Sequence, residues 1–270
     1  MSTNLTNQLT VKITLSLLLF FSVSFYCFSQ EERTSVIKVN ATALAFKTYN
    51  IQFEKAFSKR FSFALGVSHR PEERIPFASA VRKYVDAADE GIDYISLENV
   101  KKGEATMGLF KITPELRYYI GKKKSAPIGT YISLFGRYER FFGTLPVFVD
   151  VVYKGQDLRV ELPVKTEFKT TSGGLMLGRQ FRLGERFTLD WYIIGGYFGN
   201  VKVHGESRQN LEQYDDQFIN DLKENIKDTF KINEDYLSLE VDKQGVRIDN
   251  ARRLKYANLR GFGFNLGYRF

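Results

Sequence analysis

Residues 261–270 read Gly261-Phe262-Gly263-Phe264-Asn265-Leu266-Gly267-Tyr268-Arg269-Phe270, and they alternate without a break. Side chains of an extended strand project to opposite faces in turn. One face therefore carries Phe262, Phe264, Leu266, Tyr268 and Phe270; the other carries Gly261, Gly263, Asn265, Gly267 and Arg269. The period is two, not the three to four of an amphipathic helix. This is a strand with one wholly apolar face.

The same design recurs upstream. Tyr49, Ile51 and Phe53 oppose Asn50, Gln52 and Glu54, and Phe61, Phe63, Leu65 and Val67 oppose Ser62, Ala64, Gly66 and Ser68. Phe110, Ile112, Leu116 and Tyr118 oppose Lys111, Thr113, Glu115, Arg117 and Tyr119. Phe187, Leu189, Trp191, Ile193 and Tyr197 oppose Thr188, Asp190 and Tyr192. Eight strands are predicted, over 36–46, 48–57, 60–70, 105–120, 127–148, 160–182, 186–203 and 255–270.

The connections alternate too. Ser58-Lys59-Arg60, the Gly121 to Pro127 turn and Leu183-Gly184-Glu185 are short, whereas 71–104, 149–159 and 204–254 are long. Short turns at one end and long loops at the other mark an outer-membrane barrel. A soluble β-sandwich also alternates but has no need of that asymmetry. Strands can cross a bilayer only when closed into a ring, because hydrocarbon satisfies no free N–H or C=O. The expected fold is all-β: an eight-stranded antiparallel transmembrane β-barrel with long, partly helical extracellular loops.

The front end agrees with export. Lys12 is the only charge before Glu31, and an apolar run from Ile13 to Phe28 is too short to span a membrane as a helix. Residues 1–29 read as a signal peptide with cleavage after Ser29, leaving a barrel domain over 30–270 with long outer loops at about 71–104 and 204–254. The only cysteine, Cys27, leaves with the signal, which excludes disulfides and cysteine chemistry. The net charge is +8 and scattered, with Lys122-Lys123-Lys124 its one dense run. That charge suits outer-membrane lipid and lipopolysaccharide as neighbours rather than nucleic acid. The expected location is the outer membrane of a Gram-negative bacterium.

At the carboxyl end, Gly263, Phe264, Leu266, Tyr268 and the terminal Phe270 resemble the signal by which barrel-assembly machinery recognises its clients. The stretches Val39-Asn40, Ile51 to Phe57, Phe61-Ser62-Phe63 and Gly66 to Pro71 resemble a barrel family of Bacteroidetes-type bacteria that carries no assigned function. The architecture is similar to the eight-stranded OmpX and OmpA-transmembrane barrels. The resemblance implies fold and location and leaves activity open.

An eight-stranded barrel is just wide enough for side chains to fill it. Glu54, Glu115, Arg117, Arg137, Glu139 and Asp190 fall on inward positions, where buried charges must neutralise one another. A narrow solute channel is the alternative use of such residues. His69 and His204, with Ser68, Glu206 and Ser207 nearby, are the candidates for an outer-membrane enzyme acting on lipid A or peptides at the rim. By parity His69 points outward and His204 inward, and no G-x-S-x-G motif accompanies them. No residue pattern calls for a cofactor or a metal.

Within 204–254, Leu211, Tyr214, Phe218, Leu222, Ile226 and Phe230 recur at helical spacing, which predicts an amphipathic helix of about 20 residues. Its apolar stripe either packs onto the barrel mouth or the 71–104 loop, or offers Leu211, Tyr214, Phe218, Leu222 and Ile226 as a docking face for an extracellular protein. A shorter helix is predicted over 78–90, with Val81, Tyr84, Val85 and Ala88 on one side. The expected role is structural or surface-binding, without catalysis.

Overall fold

Eleven strands form one antiparallel sheet in the computed structural model, which describes residues 33–74 and 104–270. They are β1 (Ser35–Asn40), β2 (Tyr49–Ala56), β3 (Phe61–Arg74), β4 (Thr106–Ser125), β5 (Ile128–Tyr153) and β6 (Gln156–Leu183). β7 (Phe187–Arg208), β8 (Leu237–Asp242), β9 (Gly245–Asn250), β10 (Leu254–Arg260) and β11 (Gly263–Arg269) complete the set. Strands β1 to β7 pair in sequence order; β10 and β11 lie end to end along β7, and β11 returns to β1. The ring is thus closed by eight staves, the last shared by β10 and β11. The eight-stranded antiparallel barrel is the architecture the alternation predicts.

Several boundaries differ from the sequence reading; β3 and β4 run on to Arg74 and Ser125, and three differences are larger. The first stave ends at Asn40, whose side chain accepts from the Ala43 N–H at 2.6 Å and caps helix α1 (Ala41–Leu44). Residues 149–159 are not a loop: β5 and β6 pair in unbroken register up to Tyr153 opposite Gln156. Lys154 and Gly155 turn between them with φ of 52° and 77°, as a two-residue hairpin turn requires. Residues 204–254, expected as a loop, hold the end of β7, a helix, β8 and β9. The expected leader 1–29 and the helix over 78–90 lie outside the described residues.

The faces of β6 carry the main structural fact. Near its carboxyl end the outward face is apolar, with Leu175 58% exposed, while Ser172 and Gln180 are buried in the lumen. Toward its amino end the polarity reverses: Arg159, Glu161 and Lys165 face outward, and Val160, Leu162 and Val164 are buried. β5 does the same, from buried Ser133, Arg137 and Glu139 to buried Val147, Val149 and Val151. One continuous hairpin therefore obeys two opposite solvent rules along its length. Strands of 26 and 28 residues are more than twice what a bilayer core needs.

The reversed half builds a unit of its own. Its sheet runs β5-β6-β7-β9-β8, and helix α2 (Asp216–Thr229) packs against both β5 and β8, the two ends of that order. The sheet must therefore coil around the helix. Phe218, Leu222 and Ile226 meet Val149, Leu162 and Leu239 in a continuous apolar core. The helix is shorter than its periodicity suggests, because the Asp215 side chain accepts from the Phe218 N–H at 2.9 Å and starts it there.

A bulge explains the remaining misreading. β7 carries one extra residue at Ile193 relative to β6, since Leu177 pairs with Ile194 but Gly178 pairs with Tyr192. An inserted residue exchanges the faces of everything beyond it. Below the bulge Thr188 and Asp190 are buried inside; above it Phe198 is 74% exposed and Tyr197 turns inward against Phe135. His204 consequently faces outward, not inward as parity predicts. The single strand expected over 255–270 is likewise broken at Gly261-Phe262, which lies opposite the bulge, and Arg260 turns inward with the break.

Candidate functional site

The lumen of the barrel is closed by a layer of charged side chains. Glu54, Glu115, Arg117 and Asp190, all predicted inward, meet there with Lys38, and none of the five exposes more than 1% of its surface. Arg117 stands at the centre. Its Nη1 donates to Asp190 at 2.7 Å and to Glu54 at 3.2 Å; Nη2 and Nε donate to Glu115 at 2.6 and 2.9 Å, and Nη2 also reaches Gln52 at 3.2 Å. Its guanidinium carbon lies 4.3 Å over the Tyr131 ring.

Lys38 approaches from β1. Its ammonium donates to Gln180 and Asp190 at 2.6 Å each and also to Glu54. Tyr119 donates its hydroxyl to Glu54 at 2.6 Å, Tyr131 donates to Asp190 at 2.7 Å, and Ser62 also donates to Glu54. Arg260 reaches Glu115 at 3.4 Å. Three cations thus face three carboxylates, and each carboxylate has at least two donors. Buried charges are tolerable on those terms and few others.

Arg137 and Glu139, the other two predicted residues, lie higher and only 3.8 Å apart. The Arg137 guanidinium sits near the rings of Phe135 and Tyr197, at 5.2 and 4.9 Å. A cavity of about 330 Å³ lies on this side of the layer, lined by Gln52, Lys111, Thr113, Arg137, Tyr192 and Asn265 among others. It ends on Glu115 and Arg260, members of the layer below.

Sequence reasoning placed four of these charges and missed Lys38, Gln180, Tyr131 and Arg260. Lys38 was legible, since it shares parity with inward Val36 and Asn40. Arg260 was not, because the chain reverses its faces between it and Gly263. One glycine is indispensable here. A Cβ on Gly178 would come within 2.4 Å of the Tyr131 ring and hydroxyl. Gly178→Ala is therefore expected to displace Tyr131 from Asp190 and cost about 1–3 kcal/mol. The unfolding midpoint followed by the single tryptophan, Trp191, reads this; Gly196→Ala, with nothing within 4 Å, should leave the midpoint in place.

The carboxyl-terminal residues lie on the barrel wall. Phe264 stacks on Trp191 at 6.0 Å, Tyr268 meets Phe187 edge-on at 5.8 Å and Phe270 lies 6.5 Å from Phe53. Leu266 is exposed and Gly263 is buried beneath Tyr192. The expected docking face has a different fate: Leu211, Phe218, Leu222 and Ile226 are buried in the surface unit's core, and Tyr214 packs against it. The coiled sheet covers that stripe, so it is not free to receive another protein.

The two histidines do not meet. His69 is on β3 and His204 on β7, with three strands between them in the sheet. His204 Nδ1 lies 2.8 Å from the Asp249 carboxylate, while Ser207 is buried on the opposite face and Ser68 accepts from Asn50. Among the described residues no three His, Cys, Asp or Glu side chains are grouped to hold a metal ion.

A closed eight-stranded antiparallel barrel, filled by a neutralised charge layer and extended at one end into a sheet-and-helix unit, is the class of protein these features define. The chain belongs to the family described as "Protein of unknown function (DUF3575)", which matches residues 14–217 and so takes in the first seven staves. No curated protein matches the chain.

Proposed function

We propose that this protein is an outer-membrane barrel that is closed to solutes and serves as a rigid mount for a unit held outside the cell. The reversal of polarity along β5 and β6 carries the reading. An outward belt in which Leu175 and Leu134 are each 58% exposed and Leu259 71% exposed is apolar surface of a kind that soluble monomers rarely leave uncovered. A hydrocarbon slab covers such a belt, and the reversed half needs water outside and an apolar core within. Residues 1–29 would direct export, and both described termini lie at the short-turn end.

The lumen supports a structural role. The charge layer leaves no solvent-accessible side chain at its centre, and its ion pairs are mutually neutralising. Purified protein in planar bilayers is expected to give no reproducible single-channel steps up to 150 mV or so, a bias worth only about 3.5 kcal/mol per charge moved. Regular conductance steps from a heat-modifiable preparation would overturn the closed-barrel reading.

A further inference from the structure

The outward surface of β5, β6, β7 and β10 carries an ordered transition from apolar to basic. Strand register aligns Leu134, Leu175, Gly196 and Leu259 in one row. Two rows higher stand Tyr138, Thr171, Asn200 and Lys255, and directly above them Arg140, Lys169 and Lys202. Three cations on three adjacent strands thus lie at one level, above the rows that hold Leu134, Leu175 and Leu259 and near the height where the hairpin reverses its polarity.

Lys169 and Lys202, with Tyr138, Thr171 and Asn200 of the row beneath, line a surface pocket of about 980 Å³, and Arg140 stands beside it, paired with Glu167 of its lining. Arg252 and Arg253, from the segment before β10, close its side, and the Arg252 guanidinium carbon lies 3.8 Å over the Tyr236 ring. The acidic residues are fewer. Glu167 pairs with Arg140 and, at 2.5 Å, with Lys169, while Asp249 holds His204 at 2.8 Å. Lys202 and Arg253 make no ion pair among the described residues, so the pocket keeps a positive surplus.

We infer that this pocket holds the phosphate groups of an outer-leaflet glycolipid, with acyl chains lying down the apolar rows beneath. The site rests on the proposed membrane placement of the barrel. Its position decides between lipid and free anion: a site for a soluble anion has no reason to sit at the edge of an apolar belt. Each cation near an anionic lipid surface strengthens binding roughly fivefold, so three together are worth on the order of a hundredfold.

The test uses full-length protein in mild detergent with bisphosphorylated lipid A, its dephosphorylated form and inorganic phosphate, read by native mass spectrometry. Wild type should retain the bisphosphorylated lipid. The Lys169→Gln/Lys202→Gln/Arg253→Gln variant should bind it on the order of a hundredfold more weakly, and the dephosphorylated lipid should bind neither. Equal retention of both lipids, unchanged binding by the variant, or displacement by equimolar inorganic phosphate would each overturn the site. Heat-dependent gel mobility and membrane fractionation of the same samples keep the two proposals apart. A missing shift rejects the barrel's membrane placement, whereas a normal shift without lipid selectivity rejects this site alone.

Discussion

Arg117→Met is expected to destabilise the barrel by about 3–5 kcal/mol, because it removes one partner from a buried ion cluster and leaves the others charged. Arg117 is hydrogen-bonded to Glu54, Glu115 and Asp190 at once, so its loss leaves three carboxylates to Lys38 and Arg260. Methionine fills much of the volume, which confines the effect to charge and hydrogen bonding. Urea unfolding in detergent micelles, followed by Trp191 fluorescence, measures it. Adding Asp190→Asn should recover part of the loss, since it withdraws one stranded anion; a double variant no better than the single would point to packing instead.

Phe218→Ala is expected to cost a similar amount, about 3–5 kcal/mol, but in the surface unit alone. The Phe218 ring is fully buried, stacked 3.9 Å from Tyr214 and edge-on to Tyr153 at the tip of the β5–β6 hairpin. Truncation opens a cavity at the point where helix, hairpin and preceding loop converge. Limited proteolysis should then cut within 204–254 while the heat-dependent mobility of the barrel stays normal. Glu224→Ala, on the exposed side of the same helix, should shift the cleavage rate little. A Phe218 variant that loses the barrel shift as well would show the two halves to be one cooperative unit.

The barrel was legible because period-two alternation is a local property, and a ring of strands repeats it. The short turns were legible for the same reason. Three things were not. Long pairings such as Val149 with Val160 look like loop in the sequence, since Val147, Val149 and Val151 continue the alternation while exchanging which face is apolar. The Ile193 bulge is one residue in one strand, silent in composition, yet it turns Tyr197 inward and His204 outward. The helical stripe was read correctly as apolar and in need of cover, but its cover is the coiled sheet that β5 and β6 complete with β8 and β9, strands only six residues long.

The charge layer was half legible for a related reason. Glu54, Glu115, Arg117 and Asp190 announce themselves as charges at inward parity in well-marked strands. Lys38 was legible by its parity with Val36 and Asn40 but was passed over in a stave only six residues long, whereas Tyr119 and Tyr131 look like ordinary aromatic strand residues until their hydroxyls are found on Glu54 and Asp190. Which charges pair is set by barrel closure, which brings Lys38 beside Asp190 across 152 residues of chain. No local pattern encodes that meeting.

Cysteine accessibility along β5 tests the membrane placement most directly. Leu134 and Val152 share the outward face of that strand and are similarly exposed in the isolated molecule, at 58% and 64%. The chain's only cysteine is Cys27, within the expected leader, so a single introduced thiol is a clean reporter. On intact cells a charged, membrane-impermeant maleimide should label Val152→Cys and leave Leu134→Cys unmodified until the membrane is dissolved and the barrel unfolded. Equal labelling of the two on intact cells would contradict a bilayer around the lower half, and the apolar belt would then need some other cover.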